Sequence, residues 1–150
     1  MDAVTYPSEI VSSFITEHLV PFRTRYDAEP LAGRYNVQWT PTLITVDSEG
    51  KEHHRTVGYL SPKELIPSLL MGAGKCDFDN GRLEEAEAEL SRVLVEYSKS
   101  EAAPEAAYYL GVTRFKSSHD GRRLKEAYER LHAEYPGSEW EKRAYPYRLL

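Results

Sequence analysis

The chain has 150 residues, of which 41% are hydrophobic and 29% charged, the balance of a folded globular protein rather than a disordered one. Its net charge is −5, with acids and bases interspersed, which argues against nucleic-acid binding. The start of the sequence has no charged and then apolar leader, and the apolar runs are too short to span a membrane, so we expect a cytoplasmic protein with no membrane or nucleic-acid partner.

The N-terminal part of the chain, residues 1–71, mixes helix and strand patterns. After Pro7-Ser8, apolar side chains recur at helical spacing, at Ile10, Val11, Phe14, Ile15 and Leu19. Residues 20–26 then alternate and predict a strand whose one face carries Val20, Phe22, Thr24 and Tyr26. Residues 29–35 predict a short helix with a proline in its first turn.

A β-hairpin is predicted next. Residues 42–46 are β-branched or aliphatic, residues 47–50 form a turn, and residues 51–57 return as the second arm. Pro41 stands directly before the first arm and lacks the N–H that an inner strand position would use. After Gly58, a capping-box pattern at Ser61-Pro62-Lys63-Glu64 predicts a helix that continues to Leu70, with an irregularity at Pro67.

Residues 72–150 carry helical patterns throughout, and they repeat with a spacing of 37 residues. Gly74, Phe78 and Leu94 recur as Gly111, Phe115 and Leu131, and Leu90 corresponds to Ala127. The repeat unit is predicted to be a helical hairpin, turned at residues 80–81 and again at 119–121, with a third, incomplete helix from Glu139. The sequence therefore predicts two domains, residues 1–71 and residues 72–150.

The C-terminal domain resembles the tetratricopeptide repeat. The small and large positions of that family fall in order at Gly74, Gly81, Ala86, Leu90 and Val93, and again at Tyr108, Gly111, Phe115, Ala127, Leu131 and Pro136. The spacing is longer than the usual 34 or so residues, and Ser98 stands where the family often has proline. Two copies and a final helix are fewer than such arrays usually need, so we expect the array to lean on the first domain.

The N-terminal domain resembles the C-terminal two-thirds of the thioredoxin fold. The run YNVQWTPTLITVDSEGKEHHRTVGYLSPKEL, residues 35–65, has that family's order of Pro-Thr, strand, turn, strand, glycine and helix. The resemblance implies a truncated α/β fold, a cis peptide bond between Thr40 and Pro41, and a substrate platform beside it. Trp39, Thr40 and Pro41 are therefore the candidate peptide-binding residues, although Trp39 could instead pack at the edge of the fold.

The sequence departs from that family at its chemistry. Thioredoxins need a Cys-x-x-Cys at the start of a helix, where the first thiol has a lowered pKa. The only cysteine here is Cys76, and residues 1–7 look like the segment that follows the cysteine pair in relatives. We expect the pair to lie upstream, with an internal methionine taken as the start; the alternative is a genuinely shortened relative. No catalytic residue is predicted in this chain.

No metal and no cofactor are predicted either. Cys76 has no partner at metal-ligand spacing and is expected to be a small buried side chain. His53 and His54 are adjacent on a predicted strand, so their imidazoles should face opposite sides and not share a metal ion.

Two functions remain open. In the first, the intact protein is a thiol–disulfide oxidoreductase or a redox-linked chaperone whose repeats present clients. In the second, it is a non-catalytic interaction module that binds a peptide or protein partner through the cis-proline platform and the repeat groove. The resemblance implies that the strand before the cysteines is missing, so we expect a three-stranded sheet that forms a homodimer through its exposed strand edge.

Overall fold

The computed structural model describes all residues, 1–150. Its elements, in chain order, are helices α1 (Glu9–His18) and α2 (Leu31–Arg34), strands β1 (Thr42–Val46) and β2 (Glu52–Val57), helices α3 (Pro62–Asp79), α4 (Leu83–Glu96), α5 (Ala103–Ser118), α6 (Arg122–Glu134) and α7 (Glu139–Ala144), and a final 3-10 helix (Tyr145–Leu149). A small sheet and two helices thus precede a longer helical part.

The hairpin is confirmed, with β1 and β2 antiparallel and Thr42 opposite Val57. Its turn is closed by one carboxylate, because Asp47 Oδ1 accepts hydrogen bonds from the N–H groups of Glu49 and Lys51 at 3.0 and 2.9 Å. Gly50 follows at φ +75°, a conformation that favours glycine. The register shifts between Thr45 and Val46, which leaves one extra residue on β2 as a bulge.

The predicted strand at residues 20–26 is wrong. Residues 19–25 have no regular secondary structure, and the sheet has two strands instead of three. The side chains of Val20 and Phe22 are 97% and 77% exposed. Alternation supplies a strand propensity, but a strand forms only where a neighbour satisfies its backbone groups, and this segment has none.

Helix α3 joins the two predicted domains without a break. It runs for 18 residues, continues through Pro67, and contains the predicted boundary between residues 71 and 72. One core of 16 buried hydrophobic residues extends from Val11 in α1, through Leu65 and Leu70 in α3, to Leu131 in α6 and Ala144 in α7. Full burial of a leucine or valine side chain contributes about 1.5–3 kcal/mol.

The helical hairpins turn where the sequence predicts. The α3–α4 turn has Gly81 at φ +77°, and the α5–α6 turn has His119 at φ +57°. Within each hairpin a glycine faces a side chain of the returning helix: an added Cβ at Gly74 would lie 3.0 Å from the side chain of Leu90, and one at Gly111 would overlap the Cβ of Ala127. The two contacts are equivalent, because Gly111 lies 37 residues after Gly74 and Ala127 lies 37 residues after Leu90.

Candidate functional site

The candidate peptide-binding residues lie on the loop that enters β1. Trp39 is 71% exposed, Thr40 is exposed and Pro41 is half-buried. Their backbone is fixed by two hydrogen bonds, from Thr42 Oγ1 to the carbonyl of Trp39 at 2.6 Å and from Gly58 N–H to the carbonyl of Pro41 at 2.8 Å. The indole of Trp39 therefore projects into solvent from a held backbone.

Two peptide bonds are cis in the structure. One joins Thr40 to Pro41 and is the bond expected from the sequence; the other joins Glu29 to Pro30, just before α2, and was not expected.

One edge of β1 has no strand beside it. The carbonyl of Pro41 and the N–H of Asp47 bond to residues of the returning arm, so the odd-numbered residues of this strand direct their backbone groups towards β2. The even-numbered residues Thr42, Ile44 and Val46 direct theirs to the opposite side, where no backbone bond is made. This free edge of β1 begins directly after the Trp39–Pro41 loop.

The sequence predicted that the adjacent residues His53 and His54 face opposite sides of the strand, and this prediction is wrong. His53 is buried and makes two contacts, Nδ1 to Asp79 Oδ2 at 2.6 Å and Nε2 to Asp47 Oδ2 at 2.9 Å. His54 lies beside Lys75 and Glu105. Since Asp79 and Lys75 both belong to α3, both imidazoles approach that helix; the bulge interrupts the alternation of side chains along β2.

The surroundings shift the pKa values of the two imidazoles in opposite directions. Burial disfavours the charged form of His53, but the hydrogen bonds with Asp47 and Asp79 outweigh it and raise its pKa. The same contact, together with the backbone N–H of Lys51, lowers the pKa of Asp47 to about 2. For His54, burial and then the charge of Lys75 lower the pKa. The fold thus favours the charged form of His53, between two carboxylates, and the neutral form of His54.

Cys76 is half-buried in α3, away from the Trp39–Pro41 loop in sequence. Burial raises the pKa of its thiol, and the neighbouring Asp77 carboxylate acts in the same direction. A raised pKa disfavours the thiolate, which is the form that attacks a disulfide. No cluster of three or more histidine, cysteine, aspartate and glutamate side chains has the geometry to hold a metal ion.

Two surface cavities were not foreseen from the sequence. An open groove of about 450 Å³ runs between α1, α3 and α4 and is lined by Ile10, Phe14, Ile66, Arg92 and Tyr97. A smaller one of about 190 Å³ lies between β2, α3 and the start of α5 and includes His54, Thr56, Ser68, Glu101 and Glu105. Each joins residues distant in sequence, so only the packing of the helices could reveal them.

Comparison with known proteins gives one result. A family model described as "Thioredoxin-like domain" matches residues 5–71. No curated protein and no solved structure shows a significant match to the chain. No helix is both long enough and apolar enough to cross a membrane. The N-terminal part of the chain, residues 5–71, is therefore thioredoxin-like, and the helices that follow it are compatible with a helical extension of such a domain.

Proposed function

We propose that this chain is a protein-interaction module that binds an extended segment of a protein partner along Trp39, Thr40, Pro41 and the free edge of β1. An added strand would find unpaired N–H and C=O groups at Thr42, Ile44 and Val46. Trp39 supplies the large exposed aromatic surface that dominates the energetics of many interfaces. The open edge beside an exposed indole is the observation that carries the proposal.

A non-catalytic role is supported by the state of the thiol. Cys76 is the only cysteine, so no dithiol is available within residues 1–150. Burial raises the pKa of its thiol, which disfavours the thiolate, and it lies on α3, not on the loop that carries Pro41. We propose that residues 1–150 bind without exchanging disulfides.

The family match favours a second candidate, a thiol–disulfide oxidoreductase or redox-linked chaperone whose cysteines lie outside residues 1–150. The insulin-reduction assay separates the two. Residues 1–150 alone should give no turnover under either proposal. A chain extended upstream to include a Cys-x-x-Cys should reduce insulin if the second candidate is right, and should remain inactive if it is wrong.

We further propose that residues 72–150 form tetratricopeptide-like repeats that present a second binding surface. The equivalent contacts of Gly74 with Leu90 and of Gly111 with Ala127 support a repeated helical hairpin. Tyr135 Oη also donates to the carbonyl of Ser98, 37 residues earlier, and so joins the ends of the two returning helices. The division at residues 71 and 72 belongs to the same proposal.

The first test measures binding to an unfolded chain. The probe is fluorescein-labelled, reduced and carboxymethylated α-lactalbumin, and the readout is anisotropy. Replacing Trp39 with alanine should weaken binding by roughly thirtyfold, or about 2 kcal/mol, if the indole is a central contact. Tyr145→Ala is the matched control, because Tyr145 is also an exposed aromatic but lies at the far end of the chain. Equal affinities for Trp39→Ala, Tyr145→Ala and the unmodified protein would refute the platform.

A further inference from the structure

An extended segment without a partner lies between α1 and α2. In residues 20–26, VPFRTRY, the side chains of Val20, Phe22 and Tyr26 are all well exposed, and the backbone from Leu19 to Arg25 belongs to no helix or strand. Apolar side chains on every second residue are the pattern of a strand with one buried face. The chain thus has a segment with the pattern of a strand, residues 20–26, that pairs with no sheet, and a strand, β1, with one unpaired edge.

Pro21 is compatible with this segment pairing as an edge strand. Pro21 has no N–H, so it is tolerated in a strand only where its nitrogen faces away from the neighbouring strand. If Pro21 faces away, the backbone groups of Val20, Phe22 and Thr24 face the neighbour. Those of Thr42, Ile44 and Val46 point outward from β1, so three residues of each segment can pair.

The charges of the two segments are complementary. Residues 20–26 contain Arg23 and Arg25 and no acidic residue, although the whole chain has a net charge of −5. Residues 42–52, the hairpin from β1 to the start of β2, contain three acids, Asp47, Glu49 and Glu52, against one Lys51. Asp47 and Glu52 already contact His53 and Arg55, so Glu49 is the acid that has no ion-pair partner within the chain. The present partners of the arginines, Asp2 and Asp27, form solvent-exposed ion pairs, which are weak and readily exchanged.

We propose that the occupant of the free edge of β1 is residues 20–26 of a second copy of this chain. A two-fold symmetric dimer would make the contact twice, each copy giving its segment to the other copy's β1. This would add a third strand to each sheet and cover the exposed side chains of Val20 and Phe22. The inference names an occupant for the edge used in the proposed function, and it rests on that edge being open.

The first experiment is sedimentation equilibrium over about 5 to 500 µM protein, where mass action shifts a monomer–dimer equilibrium. We expect twice the mass of one chain at the upper end. Val20→Asp combined with Phe22→Asp should raise the dimer dissociation constant roughly a hundredfold or more, because the partner would then bury unpaired carboxylates. Val95→Asp is the matched control, since Val95 is 81% exposed on α4 and lies outside both segments.

The second experiment reads the edge itself by residue-resolved amide hydrogen exchange. The N–H groups of Ile44 and Val46 point to the open side of β1, so they should exchange slowly only when a strand is added there. We expect protection at dimer concentrations, and its loss in the Val20→Asp and Phe22→Asp double variant but not in Val95→Asp.

The dimer is contradicted if the protein stays monomeric at about 500 µM and the amide protons of Ile44 and Val46 exchange fast. It is also contradicted by a dimer that the double variant leaves intact. Neither result affects the proposed function, because a monomer with an open edge can still bind carboxymethylated α-lactalbumin. Conversely, if the unmodified protein dimerises with protected edges but the monomeric Val20→Asp and Phe22→Asp double variant fails to bind that probe, the dimer stands and peptide binding is contradicted.

Discussion

His53 is the residue whose chemistry depends most on the fold. Its imidazole is enclosed by the carboxylates of Asp47, in the hairpin turn, and Asp79, at the end of α3. The contact therefore connects the tip of the sheet to the first helix of the helical part. Because the folded state raises its pKa, His53 stabilises the fold fully below the pKa of an unfolded histidine, near 6.5, and this contribution is lost as pH rises through the folded pKa.

Replacing His53 with glutamine should destabilise the protein more at about pH 5.5 than at about pH 8.5, because the favourable contacts of the charged imidazole are lost. His54→Gln is the matched control and should show the opposite dependence, because the folded state lowers the pKa of His54 and that group opposes folding as pH falls. The measurement is urea unfolding of both variants and the unmodified protein at the two pH values. A loss for His53→Gln that is equal at both pH values would mean that folding does not raise the pKa of this imidazole.

Asp47 sets the acid limit of the same contact. Its pKa falls to about 2 in the folded protein, below the ordinary value of 3.8, so its contribution is present above 3.8 and is lost as pH falls towards 2. Because His53 is charged at low pH and Asp47 stays charged down to low pH, the contact that joins the hairpin turn to α3 through His53 should stabilise the fold most at mildly acidic pH.

Simple alternation along β2 predicts that His53 and His54 face opposite sides, and that prediction fails at one residue. The bulge between Thr45 and Val46 has no strong sequence signal, since neither glycine nor proline marks it. The position of Trp39, Thr40 and Pro41 before β1 followed from the resemblance to thioredoxins, but their binding role stays a prediction. A local pattern identifies which residues belong to a strand, whereas side-chain direction near a bulge depends on what packs against it.

At the scale of elements, helices α5 and α6 pack closely at Gly111. Gly111 meets Ala127 so closely that an added methyl would overlap the Ala127 Cβ and approach the backbone carbonyl of Arg123 at 3.3 Å. Gly111→Ala should therefore destabilise the protein by about 1–3 kcal/mol, even though alanine is the better helix former.

Gly121 provides the matched control for that change. It lies in the turn before α6 at φ −58°, with no atom close enough to meet an added Cβ. Gly121→Ala should change the free energy of unfolding by less than about 0.5 kcal/mol in the same urea measurement. If Gly111→Ala were as harmless as Gly121→Ala, the two helices would have to be farther apart than the structure places them.

The sequence predicts the helices and the hairpin well, because each has both a periodic pattern and a local boundary signal. Such signals include the Asn80-Gly81 turn and the Asp47–Gly50 turn. Residues 20–26 have the pattern of a strand but depend on a distant partner. The prediction failed there because pairing is a property of the whole sheet, which a short window of sequence does not contain.

At the scale of the whole molecule, the core does not stop at the predicted domain boundary. Val11 and Phe14 of α1 belong to the same buried cluster as Leu90 of α4 and Leu131 of α6. Helix α3 connects the two parts of this core, since it packs against α1 and both strands on the N-terminal side and against α4 and α5 on the C-terminal side. A sheet of two strands is marginal by itself, so the N-terminal part depends on this helix for burial of its apolar surface.

This shared core predicts a single cooperative unfolding transition for residues 1–150. Val11→Ala, in the thioredoxin-like part, should lower the free energy of unfolding by about 2 kcal/mol, and Leu131→Ala, in the helical part, by about 2–5 kcal/mol. Each side chain is fully buried, so each variant should lower the midpoint of the same transition, followed by calorimetry and by far-ultraviolet circular dichroism. Two separate transitions, with Val11→Ala shifting one and Leu131→Ala shifting only the other, would instead establish residues 1–71 and 72–150 as independent domains. In that case α3 would have to break near residue 71, and the buried contacts between its two halves and their neighbours would contribute little to stability.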